Sequence, residues 1–540
     1  MKWATFSLSH VQSHKLFHRI LLTFCSKYIR CSPFNGAKQG ITMQNSSNNN
    51  PASILLGVSL AVASTLSHGD LLAFKGQYQS ELEERAATSN QATYTQLKNQ
   101  GCQDGDRAAT ARCGGTTFIV WNNVRELVHT ANELSNDGPT QFSLDSDLQG
   151  LGFALRWTAG EEFSSEESMA NSFVSGQLSS LASRVTALRS GARGFNITGL
   201  ETEGNSQLAH SGKTASNQSG LNSGDDTSEA WSRLGGFING SYTYGDQLAS
   251  EREDAFNFNG AQISAGIDYR LDDHWVVGVI FGYQQQEIDF DSAQSIVDGG
   301  VTMDGLSIVP FILYQSENWY YSASAGYQQG KFETERSIRY PSANPNVANT
   351  DTVAISDNDS DTFSANLAAG YTFRLADNLI IEPSITLNYQ DVSIDKYREE
   401  DINNAGFGFI VDDQKIKSLE SVLGLKMQYF FSSDYGLIMP YVDLQFYSQH
   451  ENDERFIDAI YVSAAQQITD DARFSLPTNS PDTDYQVFAV GVAAVLRGAR
   501  QTTFGSSAGG GVQVFLNYRE FQGVNDYSQK IISGGLRYEF

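Results

Sequence analysis

From Trp231 onward the chain contains twelve runs in which stretches of about ten residues alternate between apolar and polar side chains. In IIEPSITLNYQ (380–390), every second residue from Ile381 to Tyr389 is apolar, and the residues between them are polar. A period of two is typical of a β-strand, and about ten residues let a tilted strand cross the hydrocarbon core of a bilayer. The runs lie at 232–244, 255–270, 274–289, 301–315, 319–334, 362–374, 378–392, 415–431, 436–448, 484–497, 502–519 and 526–540.

The gaps between these runs alternate in length. Short gaps such as LDDH, SEN, LADN, SSDY and RGAR are rich in turn-forming residues, whereas the longest lie near 335–361, 393–414 and 449–483. Short turns on one rim and long loops on the other are typical of outer-membrane barrels. A soluble β-sandwich is the alternative, but so many strands would leave sheet edges exposed, and closure into a cylinder removes those edges. We therefore predict an all-β membrane protein: a twelve-stranded antiparallel transmembrane β-barrel at 231–540, preceded by a small, mainly α-helical segment.

The front of the chain has the features of an export signal. The stretch ASILLGVSLAVAS (52–64) is apolar but too short to span a bilayer as a helix, and it follows a basic region and ends in small residues suited to cleavage. We assign 1–67 to this signal region. Either the basic part is long or translation begins at Met43, and in both cases we expect the mature chain to leave the cytoplasm.

Two cysteines remain downstream of the signal region, in GCQDGDRAATARCGG. Cys102 and Cys113 are close in sequence, flanked by glycine and carried on an exported chain, which suggests one local disulfide. A metal site or a catalytic thiol is the alternative. No histidine lies near them in the sequence, so the disulfide is the favoured interpretation.

Residues 68–194 have helical rather than strand periodicity. Helices are predicted near 75–98, over 120–134 and over 164–194, the last with Ser164 and Glu167 as a capping box. The apolar stripe of this last helix consists of Phe173, Leu178, Leu181, Val185 and Leu188. A stretch at 195–230, rich in Gly, Ser, Asn and Thr, has no period and is interpreted as a flexible linker.

The final residues, SGGLRYEF, carry a resemblance of their own. With Ser533, Gly535, Tyr538 and Phe540, this stretch resembles the C-terminal β-signal of Gram-negative outer-membrane proteins. The resemblance implies that the outer-membrane assembly machinery inserts the barrel. It also agrees with a last strand that closes the barrel against the first.

The order of signal, exported segment, linker and twelve-stranded barrel resembles the autotransporters, the type V secretion family. The stretch LSSLASRVTALRSGARGF resembles the region ahead of the barrel in members with short helical passengers. The resemblance implies a barrel in the Gram-negative outer membrane and a passenger at the cell surface. Members usually thread a helix through the pore immediately before the first strand, whereas here the predicted helix ends near Leu188. Either the linker crosses the pore in an extended form, or DDTSEAWSRLGG supplies a helical turn.

Few residues in the sequence predict chemistry. GSSAG (505–509) matches a nucleophile-elbow pattern at Ser507, but it lies in a predicted barrel strand and not at a strand–turn–helix junction. The histidines, His450 among them, are scattered. We therefore predict no enzymatic activity, no cofactor and no metal site. A hydrolase built on Ser507 and His450 is the least favoured function.

The charged residues suggest partners and a lumen. A formal net charge of −26 argues against nucleic acid as a partner. Acidic residues in the long loops could share divalent cations with lipopolysaccharide, and we expect outer-membrane lipid around the barrel. Glu382 and Asp443 lie among polar neighbours and are the predicted lumen residues, with Arg497 and Arg537 as candidate partners.

An outer-membrane autotransporter is the favoured function. A porin-like channel with a periplasmic N-terminal domain is the alternative.

Overall fold

The computed structural model of the chain describes residues 70–103, 113–189, 234–290, 295–433, 436–451, 455–479, 482–496 and 512–539. The chain divides into two units, Met1–Thr65 and Leu66–Phe540, and all described residues belong to the second. The predicted signal region therefore lies outside the described residues, as do the linker, Ser507, Arg497 and Phe540.

Twelve long strands form one closed antiparallel barrel. They are β1 (Leu234–Gln247), β2 (Phe256–Arg270), β3 (Trp275–Phe290), β4 (Gly299–Gln315), β5 (Trp319–Tyr340), β6 (Thr350–Tyr371), β7 (Leu379–Ile394), β8 (Gln414–Tyr429), β9 (Gly436–Gln449), β10 (Asp484–Leu496), β11 (Val512–Gln522) and β12 (Tyr527–Glu539). Each strand pairs with the next, and β1 pairs with β12 from Gly235 opposite Glu539 to Gln247 opposite Tyr527. The predicted twelve-stranded barrel is confirmed.

The outer wall of the barrel carries the apolar residues that the alternation predicts. Phe281 and Tyr283 on β3, Leu306 on β4 and Leu367 on β6 are exposed, while the residues between them are buried in the interior. Trp275 and Trp319 lie exposed at the ends of strands that follow short turns. This arrangement suits an outer surface in contact with lipid and an aromatic band at the interface.

One long loop predicted from the sequence is mostly strand. The region 335–361 forms the extended ends of β5 and β6, joined by a turn at 341–349. Its outward residues include Asp357, Asp359 and Asp361, and the inward ones between them are Ser and Asn. Because both faces are polar, no apolar alternation revealed the hairpin in the sequence.

Four α-helices precede the barrel in the described part of the chain. They are α1 (Glu81–Asn99), α2 (Thr116–Ser135), α3 (Leu148–Trp157) and α4 (Glu162–Arg189). Ser80 caps α1 by accepting from the Glu83 N–H at 3.2 Å, and Asp147 caps α3 by accepting from the Gly150 N–H at 2.8 Å. The predicted capping box of α4 is wrong. The helix begins at Glu162, so Ser164 lies inside it, where its hydroxyl donates to the Glu161 carbonyl.

Helices α1 to α3, here called the cap, share one apolar core with the long loops of the barrel. The loops contribute a small sheet of Tyr397–Arg398, Phe409–Val411, Phe456–Tyr461 and Phe474–Pro477. Within the cap the rings of Tyr94 and Trp121 stack at 4.7 Å. The Tyr461 hydroxyl of the loops donates to Asn90 of α1 at 2.9 Å. The cap is therefore seated on the rim of long loops, hereafter the long-loop rim.

Cys102 and Cys113 form a disulfide between α1 and α2, with Cα atoms 5.3 Å apart. Both residues are buried in the core that the cap shares with the loops. None of the helices among the described residues is long and apolar enough to cross a membrane.

Candidate functional site

The barrel lumen contains α4. Its N-terminal end lies at the long-loop rim, where the Glu166 carboxylate accepts from Thr334 and Asn358 at 3.5 and 3.4 Å. Its C-terminal end reaches the opposite rim of short turns, where Arg189 forms an ion pair with Glu382 of β7. The helix therefore runs through the pore from the cap to the short-turn rim. The predicted helix that ends near Leu188 is observed in the lumen, whereas the linker and DDTSEAWSRLGG lie outside the described residues.

An apolar patch on the inner wall holds α4 against one side of the barrel. Leu181, Val185 and Leu188 of the helix are buried against side chains of β1, β3, β4 and β5. These inner-wall residues are Phe237, Val276, Ile280, Val309, Phe311, Leu313 and Tyr320. Full burial of each helix residue contributes about 1.5–3 kcal/mol, which favours this side of the lumen over a central position.

The sequence analysis missed this inner apolar patch, because it predicted a polar interior throughout. The signal is present in WVVGVIFG and IVPFIL, where the residues are apolar without alternation. A continuous apolar run indicates a strand that is buried on both faces. In a membrane barrel, such a run marks the strands against which an interior element packs.

Two glycines on adjacent strands let α4 approach the wall closely. A Cβ at Gly305 of β4 would lie 2.5 Å from the Phe173 ring of the helix, and one at Gly282 of β3 would overlap the Gln177 amide. Any larger residue at these positions would occupy the space of the helix. The inner wall of β3 and β4 is therefore shaped to fit α4.

Polar and charged contacts fix the C-terminal half of α4 in the lumen. Arg184 pairs with Asp268 of β2, and both side chains are almost completely buried, with 1% and 3% of their surface exposed. The Arg184 guanidinium also lies over the Phe237 ring at 4.6 Å. Lys426 of β8 donates to the Thr186 hydroxyl at 2.8 Å. Buried charges need such partners, so these contacts set the depth of the helix in the pore.

The predicted lumen residues, Glu382 and Asp443, have different partners. Glu382 is paired with Arg189 of α4, which also donates to Thr372. The side chains of the candidate partners Arg497 and Arg537 lie outside the described part of the structure. Asp443 of β9 accepts from the Gln445 amide at 2.9 Å. Arg184 and Arg189 were not predicted as lumen residues. Their place on a helix that otherwise carries an apolar stripe was the available signal.

The residues of the C-terminal signal lie on β12. Ser533 is paired in register with Ser241 of β1, Gly535 with Asn239, and Tyr538 with Gly236. The closing seam of the barrel therefore includes these residues, and their recognition by the assembly machinery stays a prediction.

The residues considered for catalysis are not brought together among the described residues. The His450 ring follows the end of β9 and lies 2.9 Å from the Ser421 hydroxyl in the middle of β8. Within the described ranges, no group of three or more His, Cys, Asp or Glu side chains has the geometry of a metal site.

The cap contains a carboxyl group whose protonation is coupled to folding. Burial raises the pKa of Glu126 on α2 to about 7, and the nearby Arg125 guanidinium opposes the shift. Because the folded pKa exceeds the unfolded value of 4.5, this group stabilises the fold fully below pH 4.5 and loses that effect as the pH rises towards 7.

We expect Glu126→Gln to stabilise the cap at pH 8 by at most about 3 kcal/mol, because the neutral amide removes the buried charge. At pH 4.5 the substitution should have little effect. Amide hydrogen exchange of α2 in the full chain, measured at both pH values, checks this. Equal effects at the two pH values would contradict it.

Comparisons with known proteins agree with the barrel. The family described as Autotransporter beta-domain matches residues 236–508. Two curated relatives, both named Esterase EstA and coming from Pseudomonas aeruginosa and Pseudomonas putida, are 24% identical over 238 residues. The matched region covers 42% of this chain and 34% of each relative, so the chain spans about a third of the length of these relatives.

Solved structures of similar fold include two autotransporter barrels. The translocator domain of NalP from Neisseria meningitidis is 12% identical, with a TM-score of 0.41 over 57% of this chain and 88% of that chain. The transport unit of AIDA-I from Escherichia coli is 13% identical, with a TM-score of 0.35 over 58% and 92%. Because the family match covers half of the chain and coincides with the closed barrel, the chain belongs to the autotransporters and forms an outer-membrane autotransporter barrel.

Proposed function

We propose that the barrel displays the N-terminal segment 68–194 at the cell surface, where its helices stay docked as the cap. The observation that carries this proposal is the course of α4, which joins the cap on one rim to the short-turn rim through the lumen. In outer-membrane barrels the long loops face the outside and the short turns face the periplasm. A cap on the long-loop rim is then outside the cell.

The proposed segment remains attached to the barrel after translocation. Its apolar side chains are buried together with those of the loops, so release would expose this shared core to water. Outer-membrane lipid, lipopolysaccharide and the assembly machinery are the proposed partners. The proposal assigns no reaction to the chain, and the esterase name belongs to the relatives alone.

An epitope inserted between Asp137 and Gly138 tests the display. Both residues are exposed in the loop between α2 and α3. We expect antibody labelling on intact cells, because this loop belongs to the cap. A matched control carries the epitope between Glu317 and Asn318, in the turn between β4 and β5, and should be labelled only after permeabilisation.

Labelling of the cap epitope only after permeabilisation would overturn the display. That result would instead favour a channel with a periplasmic N-terminal domain.

A further inference from the structure

The position of α4 leaves a polar chamber on the other side of the lumen. The helix packs most extensively against β3, β4 and β5, and a cavity of about 650 Å³ separates it from the wall formed by β7 to β12. The helix face towards the chamber carries small residues, including Ser175, Ser179 and Ala182. A helix with this face cannot fill the space, and a chamber of this volume is within the size range of small-molecule sites.

Arg519 of β11 lines this chamber without a carboxylate partner. Its side chain is only 9% exposed, and it donates to Gln445 at 3.2 Å and to the Tyr447 hydroxyl at 3.4 Å. Its Nε has no hydrogen-bond acceptor among the described residues, and none of their carboxylates lies within 4.0 Å. Arg184 and Arg189 in the same lumen each have a carboxylate partner, whereas Arg519 has none among the described residues.

Neighbouring side chains compensate the charge of Arg519 only indirectly. The Gln445 amide accepts from Arg519 and donates to Asp443, so it stands between the two charges. Glu420 is occupied by donors from Tyr485 at 3.0 Å and Asn388 at 3.5 Å. The side chains that Arg519 contacts directly are neutral and its Nε is a free donor, which favours an oxyanion held through two parallel hydrogen bonds, although Glu167, Glu253 and Glu451 also line the chamber.

The inner face of β11 adds further unused polar groups. Asn517 and Gln513 precede Arg519 on the same face of β11 and are 6% and 7% exposed. Their side-chain oxygens have no partners among the described residues. They line a second cavity of about 80 Å³. Arg519 and Ala182 line both cavities, which therefore adjoin along β11. This wall offers hydrogen bonds to the polar remainder of a bound solute.

We propose that the chamber beside α4 binds a small hydrophilic anion, with its carboxylate or phosphate group against Arg519. The site exists while the helix is seated, because α4 forms one of its walls. Solute binding is a property beyond the display of the cap, and it does not depend on which side of the membrane the cap occupies.

Titration calorimetry on the purified full chain in detergent tests the site. The probes are inorganic phosphate and succinate at constant ionic strength, with glucose as a neutral reference. We expect saturable binding of at least one anion and none of glucose. Arg519→Gln should weaken binding at least tenfold. Arg519→Lys should weaken binding less, because lysine keeps the positive charge but cannot form the two parallel hydrogen bonds of a guanidinium.

Two further variants separate the site from general effects. Ala182→Trp should abolish binding by filling the chamber from the helix side without changing Arg519. Arg473→Gln, which alters an arginine paired with Asp412 and Asp470 in the loops, should leave binding unchanged. The absence of saturable binding, or an unchanged affinity in a folded Arg519→Gln or Ala182→Trp variant, would overturn the proposal.

Discussion

Asp268→Leu should release the C-terminal half of α4 from the barrel wall and lower the stability of its seating by about 3–5 kcal/mol. The substitution removes the carboxylate that pairs with Arg184 and leaves a guanidinium that is 1% exposed without its charged partner. Desolvation of that charge is then uncompensated, so the helix gains by moving away or admitting water. Hydrogen exchange of the amides from 176 to 189 should accelerate by a factor of about 100 or more.

The double variant Arg184→Leu/Asp268→Leu distinguishes a buried charge from a lost contact. Since it removes both charges, it should restore most of the protection that the single variant loses. A matched control is Glu333→Gln, which breaks the ion pair with Lys331 on the outer face of β5, where both side chains are more than half exposed. That change should cost less than about 1 kcal/mol. Wild-type exchange rates in Asp268→Leu would show that the ion pair does not hold the helix.

The combined substitution Gly282→Leu/Gly305→Leu should expel α4 from its seat while the barrel still closes. Both glycines face the helix, and a Cβ at either position would meet Phe173 or Gln177 at a distance that no relaxed contact permits. Overpacking costs about 1–3 kcal/mol per site in a core that can adjust, and the hydrogen-bonded wall here adjusts little. The strand pairing of β3 with β4 is independent of the helix, so the barrel itself should persist.

A cysteine pair reports the seating of the helix directly. The Ser180 and Ser264 hydroxyl oxygens lie 3.3 Å apart across the helix and β2, so Ser180→Cys/Ser264→Cys should cross-link when α4 is in place. Adding the two leucines should prevent the cross-link. Gly240→Leu is the control, because the nearest atom to a Cβ there is 3.9 Å away. Full cross-linking in the leucine background would contradict the proposed fit.

The barrel could be predicted from the sequence because every second residue of a membrane-spanning strand faces lipid and is therefore apolar. The segment from Ile381 to Gln390 alternates without exception, and it lies in strand β7. The fitting of α4 could not be predicted in the same way. Its position depends on contacts between residues far apart in the chain, such as Arg184 with Asp268, and no local pattern encodes such a contact.

The candidate anion site was missed for a related reason. Arg519 is the last residue of the predicted run 502–519, and its sequence context assigns it no role. The structure extends β11 to Gln522 and places Arg519 opposite Ala489 of β10. Its lack of a charged partner is visible only in three dimensions, because it depends on which strands surround the chamber.

The shared core of cap and loops limits how this protein can be rebuilt. A foreign passenger in place of the helices would leave Phe409, Tyr461 and Phe474 without the side chains that cover them. The exposed apolar surface of the loops would then promote aggregation. Any chimaera would have to transplant helices and loops as one block. For the same reason, changes that accumulate in one of these two regions during evolution should be matched by changes in the other.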